Sequence, residues 1–282
     1  MTTSCSVLGE RLGEDLAASA PKNHRFLLLE QPGPWSGRNA VTNSDLDEGI
    51  ARALLAKGDE VGVKVYLVRR GSRRAALETR SVFLADTRRD GPSLRRFEIG
   101  DPAEVLALDL DAGAPMAGVG GPLYAVCTHG KRDPCCARRG RPLARALRAE
   151  RPDATWEIGH IGGHRFAATF IAFPHGLCFG RVPAARGPEI VAALEAGEIV
   201  LEHFRGRAGD PPVVQAADVL VRRELGLRGI DDVVIEGHED DVVSLRTPAG
   251  VRRVTVLRRD AEPRPISCGD EPETVPAFEL AA

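Results

Sequence analysis

The chain has 282 residues, of which 43% are hydrophobic and 28% are charged, as expected for a globular protein with a substantial core. A formal net charge of −2 argues against a dedicated nucleic-acid binder. Apolar runs stay shorter than the ~18 residues of a membrane span, and the first residues lack the basic start and apolar core of a signal peptide. We therefore expect a cytoplasmic protein that binds neither nucleic acid nor membrane.

The first part of the chain is predicted to form an α/β domain over residues 1–118. Its polar N-terminal segment contains an isolated Cys5, which we interpret as an unremarkable surface or capping residue. A buried strand is predicted at 24–30, and a helix then runs from a capping box at Ser44 to Gly58. Strand patterns follow at residues 61–67, 81–85 and 94–99. The order of these elements is compatible with a degenerate thioredoxin-like unit.

Basic residues outnumber acidic ones between residues 61 and 100. One interpretation is a solvated hairpin rim. The other is a docking face for an acidic redox partner protein, around the Arg-rich stretch from Arg69 to Arg74, because patches of one sign steer encounters. Residues 109–121, rich in glycine, are interpreted as a linker.

A second domain is predicted over residues 119–208. The patterns indicate, in order, a strand, a helix, a strand, two hairpin strands and a helix, at residues 122–126, 142–148, 155–158, 166–173, 177–182 and 188–196. This is the order of a thioredoxin-like domain. Residues 205–210 are interpreted as a Gly/Arg linker out of it.

Soft metal ligands are concentrated in two short motifs of this domain, residues 127–136 and 160–164. They hold three of the six cysteines and three of the seven histidines of the chain. The gap from Cys127 to Cys135 or Cys136 is wider than in zinc knuckles, and His160 and His164 lack the glutamate of a helical zinc-protease motif. Two thiolates and two imidazoles suit either one tetrahedral zinc ion or a 2Fe–2S cluster of mixed ligation. Spacing alone leaves both open.

The sequences of these motifs resemble those of the sucrase/ferredoxin-like family. The resemblance lies in residues 127–133 (CTHGKRD) with Cys136, in residues 160–167 (HIGGHRFA) and in residues 30–35 (EQPGPW), and it runs from about residue 26 to 182. It implies a thioredoxin-like ferredoxin domain with a 2Fe–2S cluster. By position the ligands would be Cys127, Cys136, His160 and His164, with Cys135 as an alternative thiolate. Nearby candidates for supporting the ligands are His129, Arg132, Asp133 and Arg165, with Arg132 and Asp133 expected to form an ion pair.

A small α+β region is predicted over residues 209–282. Its patterns are a helix at 211–225 and strands at 233–236, 242–247 and 251–257. From Asp260 the acidic, proline-containing tail is expected to be extended or disordered. Cys268 is the one feature of the tail that stands out chemically.

These observations predict an intracellular electron-transfer protein carrying a 2Fe–2S cluster, rather than a stand-alone enzyme. Glycoside hydrolysis normally needs a placed pair of carboxylates, and no motif marks one, so we do not expect a sucrase. The alternatives are a structural zinc protein using the same four ligands and a thiol-redox enzyme using Cys135 and Cys136.

Overall fold

The computed structural model describes residues 4–71, 77–110 and 121–281. Within these ranges the strands form one mixed sheet of nine strands and one antiparallel sheet of four. No helix in the described ranges is long and apolar enough to cross a membrane. Most of the predicted linker at 109–121 falls outside the described residues.

The first unit of the large sheet has the strand order β4-β3-β1-β2. β1 pairs in parallel with β2 and antiparallel with β3, which pairs antiparallel with β4. The elements are α1 (Cys5–Arg11), β1 (Arg25–Glu30), α2 (Glu48–Glu60), β2 (Val63–Arg69), β3 (Arg80–Asp86) and β4 (Ser93–Ile99). Every predicted strand of this part is present, with boundaries shifted by at most two residues.

Both predicted ends of α2 are wrong. Asp47, not Ser44, caps the helix, and its Oδ1 accepts the N–H of Ile50 at 3.0 Å. Gly58 lies inside the helix, where a Cβ would come within 2.6 Å of the Val63 carbonyl oxygen. The glycine is needed for close packing on β2 rather than for ending the helix.

The second unit repeats this connectivity with the strand order β6-β5-β7-β8. β5 is parallel to β6 and antiparallel to β7, and β7 is antiparallel to β8. The elements are β5 (Leu123–Cys127), α3 (Pro134–Glu150), β6 (Thr155–Ile158), β7 (Phe170–Phe173), β8 (Leu177–Phe179) and α4 (Gly187–Glu195). The fold is therefore α/β, with a thioredoxin-like unit preceded by a second unit of the same connectivity.

The two units are joined through their equivalent edge strands. β2 pairs antiparallel with β6, where Val68 lies opposite Ile158 and Arg69 opposite Glu157. Main-chain pairing across this boundary makes one continuous sheet. The predicted domain limits at 118 and 208 stay predictions, since residues 111–120 are outside the described ranges.

The helix after the cysteine motif begins eight residues earlier than predicted. Pro134 occupies its first turn, where the missing N–H of proline costs no hydrogen bond. Asp133 caps the helix, and its Oδ1 accepts the N–H of Cys135 at 2.8 Å. Cys135 and Cys136 therefore lie on a helix and not in a loop.

The interpretation of residues 205–210 as a linker is wrong. Phe204–Arg207 forms β9, which pairs antiparallel with β8 and ends the large sheet. All four of its residues are buried, including Arg205, whose Nε donates to Ser19 Oγ at 3.0 Å. Ser19 of the N-terminal segment thus accepts hydrogen bonds from a buried guanidinium that the sequence placed in a linker.

The C-terminal region contains α5 (Pro212–Leu225) and a four-stranded sheet, where the sequence predicted a helix and three strands. The strands are β10 (Val234–Glu239), β11 (Val242–Thr247), β12 (Gly250–Arg264) and β13 (Glu273–Leu280). β13 pairs antiparallel with β12, and Phe278 and Leu280 join the core under α5. Much of the tail is extended, as β-strand, whereas the alternative of a disordered tail is wrong, because these apolar residues pair and pack.

Candidate metal centre

The sheet brings the cysteine and histidine motifs to one edge. Cys127 is the last residue of β5 and lies opposite Ile158, the last residue of β6. His160 follows two residues later, and α3 starts nearby. A Cβ on Gly140 of α3 would lie 2.0 Å from the Cys127 carbonyl oxygen, so this helix packs directly on the end of β5.

Three of the four proposed ligands converge. The Nδ1 atom of His160 lies 3.7 Å from the sulfur of Cys136 and 4.0 Å from that of Cys127. These three atoms all lie within 4.8 Å of one another, close enough to hold a metal ion. His164 lies on the other side of the His160 ring, with its Nδ1 3.3 Å from Nε2 of His160.

The site is largely shielded from water. Cys127, Cys136 and His164 are 0%, 1% and 5% exposed, and His160 is the half-buried member. The Cys136 thiol donates to Cys127, and this bond, aided by His160, holds the pKa of Cys127 well below its ordinary value against the effect of burial. The same bond and burial raise the pKa of Cys136. One thiolate is thus favoured even without metal.

His164 has the protonation state that a ligand needs. Burial, together with the neighbouring His160, lowers its pKa to about 4, so the ring is neutral near pH 7. Its Nε2 is buried and makes no hydrogen bond of normal geometry within the described ranges. The nearest carboxylate oxygen, Asp133 Oδ2, is 4.0 Å away. A neutral ring with a buried nitrogen that makes no hydrogen bond is in the form in which histidine binds a metal.

The donor set matches the groups that the sequence indicated. Two sulfur and two neutral imidazole ligands are those of a mixed-ligand 2Fe–2S cluster, and they also suit tetrahedral zinc. A buried site made of these residues is compatible with either the cluster or the zinc ion. The residues present therefore fit a metal centre.

Among the supporting candidates, His129 is directly involved. Its backbone N–H donates to the Cys127 sulfur. Its Nε2 lies 2.8 Å from the Gly37 carbonyl, and because a carbonyl only accepts, Nε2 carries the proton. Trp35 packs edge-on against the ring at 6.0 Å, and burial lowers the pKa of His129. Trp35 is thus a core residue that anchors the loop after β5.

The other three supporting candidates have different roles. Asp133 makes no ion pair with Arg132 in the described chain, because its carboxylate accepts the N–H of Cys135 and that of Cys268, each at 2.8 Å. Nη1 of Arg132 is buried without a hydrogen bond within the described residues. Arg165 donates to Glu14 Oε1 at 2.6 Å and lies over Phe166, away from the sulfur atoms.

A second group of sulfur atoms lies close by, and the sequence gave little sign of it. Cys5, Cys135 and Cys268 surround the Asp133 carboxylate, and the four ligand atoms lie within 4.8 Å of one another. The interpretation of Cys5 as a surface residue is wrong, since it is 2% exposed. The one available signal was that Cys5 and Cys268, near the two ends of the sequence, lie outside both ligand motifs. Cys135, the alternative thiolate, points into this group.

The Arg-rich stretch is only partly described. Arg69 is 3% exposed, pairs with Glu157 at 3.0 Å and stacks on Trp35. Arg70 pairs with Asp153 and lies over Trp156, whereas Arg73 and Arg74 fall outside the described residues. Next to the metal centre, a groove of about 430 Å³ has a basic rim on its α3 side. The rim residues are Lys131, Arg138 and Arg141, all exposed.

A family model agrees with the sequence motifs, whereas solved structures and curated proteins add little. A solved structure that is similar over part of the chain is a thioredoxin-like 2Fe–2S ferredoxin from Aquifex aeolicus, at 23% identity, 32% coverage of this chain, 94% coverage of that chain and a TM-score of 0.28. A likeness this limited adds nothing to what the connectivity itself shows. A search of curated proteins gave no match. The sucrase/ferredoxin-like family model matches residues 16–206, more than half of the chain, and so includes both thioredoxin-like units. The chain belongs to the sucrase/ferredoxin-like family.

Proposed function

We propose that this protein is an electron carrier that holds a 2Fe–2S cluster on Cys127, Cys136, His160 and His164. The observation that carries the proposal is the convergence of two buried thiols with Nδ1 of His160, backed by the buried ring of His164. When bound, such a cluster accepts and releases one electron. The protein supplies ligation, exclusion of water and docking.

The choice of ligands determines whether the redox potential lies above or below that of an all-cysteine ferredoxin. Neutral imidazoles in place of two thiolates remove two negative charges from the centre, so adding an electron costs less than in an all-cysteine ferredoxin. Burial of Cys127 and Cys136 keeps solvent from the sulfur atoms. We therefore expect a higher potential than that of a four-cysteine cluster.

Electron exchange is proposed to occur at His160. It is the most exposed of the four ligands, and it lines a cavity of about 210 Å³ together with Tyr66 and Lys64. The basic rim defined above, with Arg70 and the rest of the Arg-rich stretch as a second candidate, would attract an acidic redox partner. We place this exchange in the cytoplasm, where ligating thiols stay reduced.

A zinc protein using the same four residues is the main alternative, because three of their donor atoms also lie within reach of a single ion. Anaerobic purification separates the two. An electron carrier is red-brown and contains about two iron and two acid-labile sulfides per chain. Stoichiometric zinc bound by these four residues, with no visible absorption after anaerobic reconstitution, would overturn the proposal.

A further inference from the structure

We propose that Cys5, Cys135 and Cys268 form a second metal site, which binds one thiophilic divalent ion such as zinc, with the Asp133 carboxylate in the fourth position. The proposal goes beyond electron transfer and does not depend on the cluster. Its basis is a triangle of sulfur atoms from three distant parts of the chain. The Sγ–Sγ distances are 3.5 Å for Cys5–Cys135, 3.4 Å for Cys135–Cys268 and 3.5 Å for Cys5–Cys268.

These distances point to a single ion. Zn–S bonds of about 2.3 Å arranged tetrahedrally put sulfur atoms about 3.8 Å apart, close to the separations seen here. A disulfide needs about 2.05 Å and joins only two sulfurs, whereas this group has three at nearly equal spacing. A cluster of several metal ions would need its ligands farther apart. The geometry leaves one central position facing all three sulfurs.

Asp133 completes the group. Its carboxylate is buried at 1% exposure, and its oxygens lie 3.7 and 3.8 Å from the Cys5 sulfur. It accepts the Ser267 hydroxyl at 3.0 Å in addition to the N–H groups of Cys135 and Cys268. Those bonds fix its orientation, and a carboxylate retains lone pairs for a metal.

Backbone groups favour negative charge on the sulfur atoms of Cys135 and Cys268. The N–H of Cys5 points at the sulfur of Cys268 at 3.4 Å, and Cys135 lies at the N-terminal end of the 17-residue helix α3, where the macrodipole favours negative charge. Arg139, one turn later on α3, contacts Glu10 and the Ala167 carbonyl beside this group. Three thiolates and a carboxylate around a divalent ion therefore have partial charge compensation.

The consequence would be a cross-link between the two ends of the chain. Cys5 belongs to α1, Cys135 to α3, and Cys268 to the connection between β12 and β13. Cys5 and Cys268 are 263 positions apart, so an ion between them closes a very long loop. The same ion would fix the start of α3, which carries Cys136 to the first metal centre.

The test is elemental analysis of the full chain expressed with added zinc, with iron and sulfide measured on the same samples. We expect about one zinc per chain, the load of a single mononuclear site. Cys268→Ser should lose that zinc and keep the iron and sulfide. The matched control is Cys178→Ser, a buried cysteine outside both groups, which should keep the zinc.

Cobalt titration of the full-length Cys127→Ser chain, which lacks a first-site thiolate, tests the site without iron absorption. We expect a thiolate-to-cobalt charge-transfer band that saturates near one equivalent. In that background Cys268→Ser should weaken cobalt binding at least ~10-fold, because loss of even an outer-shell partner costs about that much and Cys268 is a proposed direct ligand. Wild-type protein without zinc together with no such band would overturn the proposal, as would equal zinc in Cys268→Ser and Cys178→Ser. Because iron is measured separately, loss of zinc alone leaves the proposed electron carrier intact, and loss of iron alone leaves the second site intact.

Discussion

Cys135 and Cys136 are neighbours in the first turn of α3, yet their sulfur atoms belong to different groups. The Cys136 sulfur lies 3.7 Å from Nδ1 of His160, whereas the Cys135 sulfur lies 3.4 Å from that of Cys268. Successive residues of a helix point about 100° apart, which separates the two side chains. This arrangement does not favour a thiol-redox enzyme built on the adjacent pair. It also means that each cysteine can be substituted separately to test its own group.

Substitution of the adjacent cysteines should separate the two groups. Cys136→Ser and Cys127→Ser should each abolish the visible absorption of the cluster, because each removes a buried sulfur next to His160. Cys135→Ser should leave most of it. Absorbance and iron content of anaerobically purified variants provide the measurement. If Cys135→Ser loses the cluster while Cys136→Ser keeps it, the assignment of the second thiolate is off by one.

Gly140→Ala should destabilise the protein, although alanine is normally the better helix former by about 1 kcal/mol. The new Cβ would lie 2.0 Å from the Cys127 carbonyl oxygen, a backbone atom at the end of β5. We expect a loss of about 1–3 kcal/mol or more in urea unfolding, the usual cost of overpacking, together with a lower cluster content.

Gly91→Ala is the matched control for that substitution, since nothing lies within 4 Å of its would-be Cβ. It should leave both stability and iron content unchanged. A Gly140→Ala protein as stable as the control would mean that α3 does not pack on β5 as described.

The buried ion cluster of Asp218 with Arg89 and Arg222 should make the free energy of unfolding depend on pH in the acidic range. Asp218 is 1% exposed, and burial alone would raise its pKa. The cations Arg89 and Arg222 outweigh this effect and lower the pKa to about 2. Because the pKa is lower in the folded state than the ~3.9 of an unfolded aspartate, the contribution is fully present above pH 4 and is lost as the pH falls toward 2. Its size is on the order of 2 kcal/mol.

Asp218→Asn tests this account. At neutral pH it should cost about 3–5 kcal/mol in denaturant unfolding, because Arg222 loses its buried carboxylate partner and Arg89 loses one of its two. Since asparagine does not titrate, the difference from wild type should shrink as the pH falls below 4. A difference that stays constant from neutral pH to pH 2 would show that Asp218 is not charged in the folded protein.

His160→Cys should lower the redox potential of any cluster that survives the change. A thiolate in place of a neutral imidazole adds a negative charge at the metal, which disfavours addition of an electron. The shift should be on the order of 100 mV, measured by potentiometric titration. His238→Cys, at an exposed position of β10, is the control and should leave the potential unchanged.

Local patterns predicted much of the fold. The strand predicted at 155–158 coincides with β6, and α5 was placed within one residue by the proline before it and Gly226 after it. β9 was missed because it buries two arginines, and the Ser19 partner of Arg205 lies far along the chain. The fourth strand of the C-terminal sheet was missed because acidic and proline residues mask its pairing with β12.

The candidate metal centre was predictable for a different reason from the second sulfur group. Residues 127–136 and 160–164 carry their ligand types within short motifs, and parallel strands bring the ends of such motifs together. Cys5 and Cys268 have no local pattern, and only tertiary folding places them 3.5 Å apart. Likewise, the ion pair expected between Arg132 and Asp133 failed because distant Ser267 and Cys268 occupy the carboxylate.

The central claim is that two imidazoles ligate a paramagnetic cluster in the reduced protein. Electron–nuclear resonance on protein labelled with ¹⁵N-histidine tests this most directly, because nitrogens bound to iron couple strongly to the unpaired electron. We predict two strongly coupled nitrogens, reduced to one in His164→Cys. A reduced protein with a cluster signal but without strongly coupled histidine nitrogen, or one without any paramagnetic signal, would contradict the account.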